Sequence, residues 1–164
     1  FQKFYDFICS SNEKVELKYE SHFENGNFLE SLKQKRERDK ILGYTSSGVH
    51  KDDLDMQIGG YSIKKTGSQG QNKTYVVAMK LAQFEFLLKV GDKTPILLLD
   101  DIFDKLDSSR VEQIIKLVLG DEFGQIFVTD TNREHLDEIL KNTESKHRIF
   151  MVDQGSINLI GESI

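Results

Sequence analysis

The second half of the sequence predicts an α/β fold with a mainly parallel sheet flanked by helices. Two short apolar runs, at 95–101 (PILLLDD) and 125–130 (QIFVTD), have the composition of strands that are buried on both faces. An amphipathic segment over 108–120 separates them, and strands that alternate with helices favour parallel pairing. The chain has 164 residues, of which 38% are hydrophobic, so it is long enough to form a core.

A helix and a strand are expected at the start of the chain. Apolar residues at helical spacing place a helix over residues 1–9, with one face formed by Phe1, Phe4, Tyr5 and Ile8. Residues 14–20 alternate apolar and charged side chains, which predicts a half-buried strand with Leu17 and Tyr19 on its apolar side.

The segment over 27–42 is a charged helix that should begin near Asn27. Its basic run over 33–40 is interleaved with Glu37 and Asp39. Such a run usually forms a solvated helix face, so we favour that interpretation over a DNA contact.

The remaining elements are expected in the following order. Gly59-Gly60 separates two short strand-like segments and predicts a hairpin. A helix that is apolar nearly all round follows, and it should be buried on most sides. The expected ranges are 42–53 (loop), 54–65 (hairpin), 69–90 (apolar helix), 133–141 (short helix) and 147–160 (terminal hairpin).

Composition excludes several kinds of site. Cys9 is the single cysteine, so no disulfide forms within the chain, and the histidines show no zinc spacing, which fits a reducing, cytoplasmic setting. The formal net charge of −5 weakens the case that this chain alone binds nucleic acid. No apolar run approaches the ~20 residues of a membrane span, so no membrane partner is expected. The first residues, FQKFYDFICS, lack an initiating Met, and we expect a fragment of a longer protein.

Two carboxylates end the first apolar strand. Ligands bind at the carboxyl edge of α/β sheets, and Asp100 and Asp101 lie there. Successive side chains on an extended backbone point to opposite sides, so one of the two carboxylates can hold Mg²⁺ while its neighbour faces a water. The alternative is that one aspartate caps the next segment. Asp107, before Ser108, is itself a good helix N-cap.

The stretch from Gly67 to Thr74, GSQGQNKT, is one residue away from a phosphate-binding P-loop. Asn72 occupies the place of the glycine that lets the P-loop backbone wrap a phosphate. The preceding segment is also rich in lysine rather than a buried strand. We therefore expect a different kind of phosphate-binding site, at the N-terminus of a helix. It would offer a hydroxyl, a glycine backbone and the positive end of the helix dipole, from Ser68, Gln69, Gly70 and Gln71.

The order of these motifs resembles the ATP-binding cassette (ABC) ATPase head and, more closely, the RecF family of bacterial DNA replication and repair ATPases. GYTSSGVHKDDL at 43–54 is similar to the family stretch G-x-T-x-x-G-P-H-R-D-D-L. The segments at 67–87, 95–110 and 124–137 also match the family pattern, so the resemblance covers residues 43 to about 137. Departures are Val49 for Pro, Lys51 for Arg, Asp101 where many ABC ATPases have Glu, and Asp130 where transporters have a switch histidine.

The resemblance implies the C-terminal portion of an ABC-type head without its Walker A loop, which in this family lies near the N-terminus. Residues 1–66 would be the end of the helical lobe and a connecting hairpin. Residues 67–164 would carry the signature helix, the Walker B strand, the D-loop and the switch strand. Without the Walker A loop, we expect this chain alone to be inactive as an ATPase.

By resemblance, two heads would sandwich two ATP molecules, each between the P-loop of one subunit and the signature motif of the other. Ser68 to Gln71 would contact the ATP of the partner, Asp100 would hold Mg²⁺ through water, and Asp101 would position the attacking water. Asp107 would reach across the dimer interface, and Thr129 with Asp130 would occupy the switch position. The implied partners are DNA at single-strand gaps and duplex junctions, proteins of the RecO and RecR type, and a second copy in an ATP-dependent homodimer. The implied setting is the bacterial cytoplasm at the nucleoid, in recombinational repair, replication and the SOS response.

Three alternatives remain from the residues alone. One is a head of another ABC-type ATPase, from a transporter or an SMC-like chromosome-maintenance protein. A second is a non-catalytic DNA-repair scaffold, against which the intact Asp100, Asp101 and Ser68 argue. A third is a phospho-acceptor receiver domain, which needs its acidic pair on the first strand. His50, Asp52 and Asp53 match the family stretch, and a structural loop is the favoured interpretation of them.

Overall fold

The computed structural model describes residues 1–10, 13–24, 26–120, 122–131, 140 and 146–163. The chain divides into two compact units, Phe1–Met79 and Lys80–Ile164, which we call the N-terminal unit and the C-terminal unit. The expected division at residue 67 stays a prediction. No helix in the described ranges is long and apolar enough to cross a membrane.

The N-terminal unit begins with helix α1, Gln2–Cys9, which buries Phe4, Tyr5 and Ile8 as the spacing predicts. The Phe1 ring contacts the ring of Tyr75, with centroids 4.7 Å apart. This packing places α1 against the start of the long helix described below, within the same unit.

A three-stranded antiparallel sheet follows, in the order β1 (Val15–Glu20), β2 (Asp53–Ile58) and β3 (Tyr61–Ser62). Gly59 and Gly60 both have positive φ, 57° and 82°, as the tight turn between β2 and β3 requires. The predicted half-burial of β1 is wrong beyond Val15, since Leu17 and Tyr19 are exposed. Among the described residues, β1 is fully buried only at Val15, where the strand begins. The alternation of apolar and charged residues therefore did not decide which side chains are buried.

Helix α3, Ile63–Thr66, replaces the second half of the predicted hairpin strand. Pairing between β2 and β3 stops at Ser62, and Ile63 becomes buried. The turn is closed by the Gly67 N–H, which donates to the Ile63 carbonyl (2.9 Å), and by the Thr66 hydroxyl, which donates to the Ser62 carbonyl (3.1 Å).

Helix α2, Phe28–Leu42, begins where the sequence predicts. Asn27 Oδ1 accepts hydrogen bonds from the Leu29 N–H (3.1 Å) and the Glu30 N–H (3.4 Å). The helix contains no fully buried residue, which agrees with a solvated face.

The loop after α2 is fixed by polar contacts. The Asp52 carboxylate accepts hydrogen bonds from the Tyr19 hydroxyl, the Ser21 hydroxyl (3.0 Å) and the His22 N–H (3.2 Å). The hydrogen bond from Tyr19 holds the pKa of Asp52 below its usual value. His50 Nε2 lies 2.7 Å from the Thr45 carbonyl oxygen. These contacts agree with a structural role for His50 and Asp52.

Helix α4, Gln69–Val90, has the predicted bounds and runs from the N-terminal unit into the C-terminal unit. The prediction that it is buried on most sides is wrong for this chain. Tyr75, Val77 and Leu81 are buried, but Phe86 is 62% exposed and Val90 is 63% exposed. A 22-residue helix spans about 33 Å, and the described residues cover only part of that surface.

The C-terminal unit contains a parallel strand pair, β4 (Leu97–Asp100) and β5 (Ile126–Thr129), with Asp100 opposite Thr129. Leu97 and Leu99 are buried, whereas Leu98 is 63% exposed, so one face of β4 is covered and not both as predicted. Among the described residues this parallel sheet has two strands, β4 and β5. A strand is buried on both faces only where other layers cover both faces of its sheet.

Two further elements complete the described part of this unit. Helix α5, Ser108–Val118, turns a regular apolar stripe to the core, formed by Val111, Ile114, Ile115 and Val118. Strands β6 (His147–Asp153) and β7 (Ser156–Ser163) form the predicted terminal hairpin. The helix predicted over 133–141 lies outside the described residues.

Candidate functional site

The start of α4 is a capping box. The Ser68 hydroxyl accepts a hydrogen bond from the Gln71 N–H (3.2 Å), and Gln71 Oε1 accepts one from the Ser68 N–H (2.8 Å). Ser68 and Gln69 are exposed, while Gly70 and Gln71 are half-buried. In this box the Ser68 oxygen acts as the acceptor, so the Gln71 backbone does not use the Ser68 hydroxyl hydrogen.

Asn72 shows that the segment that nearly matches a P-loop sequence has a different structure. Its side-chain amide donates to the carbonyl oxygens of Gly67 (3.0 Å) and Ser68 (2.9 Å), which closes the turn into the helix. Thr74 lies within the helix and is fully buried. A Cβ atom at Gly67 would lie 2.7 Å from the Ile63 carbonyl oxygen, so the glycine permits a close backbone approach. The segment is a helix start and not a loop wrapped around phosphates.

Glu13 supports this helix start from outside it. Its Oε1 atom accepts a hydrogen bond from Gln71 Nε2 (2.7 Å), and its Oε2 atom accepts one from the buried Tyr5 hydroxyl (2.9 Å). Burial and then the hydrogen bond with Glu13 raise the pKa of Tyr5 above its usual value. Sequence reasoning missed Glu13, because a contact between residues 58 positions apart leaves no local pattern.

The carboxylate pair lies at the end of β4. Asp100 Oδ1 accepts a hydrogen bond from the Thr129 hydroxyl on the neighbouring strand. The Asp101 N–H lies 3.1 Å from Thr129 Oγ1 and 3.3 Å from the Thr129 carbonyl oxygen. Three of the predicted site residues are therefore brought together by the register of β4 and β5.

The backbone turns sharply at Asp101, where φ is 46°. This left-handed conformation is uncommon for residues other than glycine, although Asp and Asn adopt it more readily than most. The strand therefore ends at Asp100, and the argument that successive side chains alternate does not apply to Asp101. Residues in such conformations occur often at functional sites.

The predicted D-loop is anchored by apolar side chains. Ile102, Phe103 and Leu106 are buried and hold the segment between β4 and α5 in place. Asp107 Oδ1 accepts a hydrogen bond from the Arg110 N–H (3.0 Å), so the predicted N-cap of α5 is confirmed. The Asp107 side chain stays 59% exposed and can also face a partner.

The residues available to a metal are few. No group of three or more His, Cys, Asp or Glu side chains with metal-binding geometry occurs in the ranges that the structure describes. Asp100 and Asp101 are both exposed at the end of β4, and carboxylate oxygens are the kind of ligand that Mg²⁺ prefers. Asp130 follows β5 directly and is half-buried.

The predicted residues thus form two local groups. Ser68 to Gln71 belong to the N-terminal unit. Asp100, Asp101, Asp107 and Thr129 belong to the C-terminal unit. Each group has a defined hydrogen-bonded geometry within its own unit.

Comparison with known proteins places the chain among RecF sequences. It is 63% identical over 161 residues to the DNA replication and repair protein RecF of Bacteroides thetaiotaomicron and 54% identical over 158 residues to that of Porphyromonas gingivalis. These matches cover 98% and 96% of the chain but 44% and 43% of the relatives. The chain therefore spans less than half the length of the curated relatives that it matches. No family model matches the sequence.

Solved structures give the same fold. The recombination mediator protein RecF-ATPrS in the RecFOR pathway aligns with a TM-score of 0.70 at 25% identity, over 98% of this chain and 43% of that one. A structure from work on ATP-driven dimerization and DNA-stimulated activation of SMC ATPases aligns with a TM-score of 0.54 at 14% identity, over 99% of this chain and 82% of that one. The second likeness shows the fold alone. Together they confirm the predicted α/β fold of an ABC-type ATPase head.

Proposed function

The chain belongs to the RecF family, and we propose that it is the part of an ATP-dependent DNA-repair protein that supplies the signature motif and the Walker B carboxylates. The observation that supports this most strongly is a 63% identity over 98% of the chain to a protein named for DNA replication and repair. The order of elements also supports the proposal, since Ser68 precedes α4, Asp100 ends β4 and Thr129 ends β5.

The start of α4 is proposed to contact the ATP bound by a second copy of the protein. The capping box leaves the Ser68 hydroxyl hydrogen available, and Gly70 has no side chain that would cover the backbone at the helix start. The positive end of a 22-residue helix dipole adds to the attraction for a phosphate. This arrangement favours contact with the terminal phosphate of a nucleotide held elsewhere.

The carboxyl end of β4 is proposed to carry the hydrolytic step. When bound, Mg²⁺-ATP supplies the phosphoryl group and the positive charge that offsets its oxygens. Asp100 would hold the Mg²⁺ through water, with Oδ1 already oriented by Thr129. Asp101 would orient the attacking water and accept its proton. Thr129 and Asp130 at the end of β5 would form the switch position, and Asp107 would reach toward the partner.

The wider role follows the family. We propose that ATP drives formation of a homodimer and that hydrolysis releases both the dimer and its hold on DNA at single-strand gaps and duplex junctions. Proteins of the RecO and RecR type are the proposed partners, and the bacterial cytoplasm at the nucleoid is the proposed setting. The names of the relatives support this assignment over a transporter head.

Light scattering on the full-length protein tests the proposal. Asp101→Asn should block hydrolysis and trap a dimer when Mg-ATP is added. Adding Ser68→Arg should abolish the dimer, because a bulky cation replaces the hydroxyl at the start of α4. Gln34→Arg, at an exposed position on α2, is the matched control and should leave the dimer intact. A monomer with ATP demonstrably bound would refute the shared-site mechanism.

A further inference from the structure

We infer that Thr129 is a positioning residue that sets the geometry of both Walker B carboxylates through its hydroxyl group. This inference rests on the proposed ATPase function and adds a specific role within it. Thr129 lies directly opposite Asp100 in the parallel pair of β4 and β5. Its side chain is thus at the carboxyl edge of the sheet, beside both aspartates.

The Thr129 hydroxyl links the two aspartates. It accepts a hydrogen bond from the Asp101 N–H (3.1 Å), so its own hydrogen is directed to its acceptor, Asp100 Oδ1. A hydroxyl that accepts one hydrogen bond and donates another has a fixed rotamer and a fixed proton position. One Asp100 oxygen is thereby engaged, which leaves the other to receive a metal-bound water.

The same contact stabilises the turn at Asp101. The left-handed conformation at φ 46° costs free energy in a residue with a side chain, and it persists only where neighbouring contacts impose it. The Asp101 N–H is held by both the hydroxyl and the carbonyl oxygen of Thr129. Because the turn decides where the Asp101 carboxylate points, a contact to its backbone also sets the position of the proposed water-orienting group.

The chemistry requires a hydroxyl at this position and not merely a β-branched side chain. Valine matches threonine in shape and strand preference but can neither donate nor accept a hydrogen bond. Serine keeps the hydroxyl and loses only a methyl group. Thr129 is exposed, so its side chain adds little to the core, and the two substitutions separate positioning from packing.

Steady-state ATP hydrolysis by the full-length protein tests the inference. Thr129→Val should lower kcat by about 10- to 100-fold, since small displacements of catalytic groups have effects of this size, while KM for ATP changes by less than about threefold. Thr129→Ser should stay within about threefold of the parent protein in both constants. If Thr129→Val does not fold, as judged by circular dichroism, Thr129→Ala takes its place.

A double variant shows whether Thr129 acts on turnover alone. Asp101→Asn should already block hydrolysis and trap the dimer, so light scattering on the double variant reports association without turnover. In that background Thr129→Val should leave the ATP-dependent dimer intact, because a residue that positions catalytic groups does not take part in association. Asparagine keeps the shape of the side chain and tolerates the left-handed turn. Loss of the dimer in the double variant would indicate a general structural role and overturn the inference.

The remaining outcomes are distinct. If Asp101→Asn abolishes turnover but Thr129→Val does not lower it, the inference is wrong and the proposed function stands. If Thr129→Ser is as slow as Thr129→Val, the hydroxyl is not the group that matters and the inference is again wrong. If Asp101→Asn hydrolyses ATP at the parent rate, the proposed function fails and the positioning role fails with it.

Discussion

Replacing Glu13 should loosen the start of α4 and the packing of α1 together. Its carboxylate accepts hydrogen bonds from Gln71 Nε2 (2.7 Å) and from the Tyr5 hydroxyl (2.9 Å). Tyr5 is fully buried, and its hydroxyl forms side-chain hydrogen bonds with Glu13 and Cys9. In Glu13→Ala the Cys9 thiol, which forms only weak hydrogen bonds, would have to replace the carboxylate. An unsatisfied buried hydroxyl costs about 1–3 kcal/mol, so we expect a loss of stability of that size.

Hydrogen exchange followed by mass spectrometry in the full-length protein measures this loss locally. Peptides from α1 and from the first turns of α4 should exchange about 5- to 150-fold faster, which corresponds to the same 1–3 kcal/mol. Glu20→Ala is the matched control, because Glu20 is exposed on β1 and should change exchange by less than about twofold.

Tyr5→Phe separates the two hydrogen bonds of Glu13. Phenylalanine removes the hydroxyl that Glu13→Ala leaves unsatisfied, so adding it to that variant should restore part of the protection in α1. The start of α4 should stay labile, because Gln71 still lacks its partner. Additive effects of the two substitutions in α1, or unchanged exchange in Glu13→Ala, would show that the carboxylate does not link these elements.

Two further predictions concern a helix cap and a buried tyrosine. Asp107→Ala should lower the melting temperature, because it removes the α5 N-cap, which is worth about 1 kcal/mol. Asp107→Asn keeps the cap and should change only dimerisation or turnover. Equal melting temperatures for Asp107→Ala and the parent protein would contradict the capping role. Burial and then Glu13 raise the pKa of Tyr5, so above about pH 10 the unfolded chain loses its proton first and the free energy of unfolding falls with pH. Melting curves between pH 9 and 11 should show this fall. Tyr5→Phe should reduce it without abolishing it, because the pKa values of Tyr75 and Tyr19 are also raised.

Helix limits were the features that the sequence predicted best. Asn27 and Asp107 cap α2 and α5, and α4 begins and ends at the residues expected. These limits depend on contacts within one helical turn, so the necessary information lies in adjacent residues. The parallel pairing of β4 with β5 was also predictable, since two buried runs separated by a helix have few other arrangements.

Burial and fine site geometry were less predictable. Phe86 and Leu98 are apolar yet exposed, because burial depends on which layers cover a surface and not on the residue alone. The turn at Asp101 depends on Thr129, which lies 28 positions away. The support of Gln71 by Glu13 spans 58 positions. Periodicity and propensity act over a few residues and carry no signal for such contacts.

The two candidate groups share one physical feature, which is that hydrogen bonds within the protein fix their geometry. Gln71 and Glu13 hold the helix start that presents Ser68, and Thr129 holds the two aspartates. Prearranged groups need little reorganisation when charge develops, which is the main source of electrostatic catalysis. On the proposed function, these hydrogen bonds would hold both groups in place when ATP and a second copy bind. Glu13→Ala should therefore weaken ATP-dependent association. Thr129→Val should instead slow ATP turnover after association has occurred.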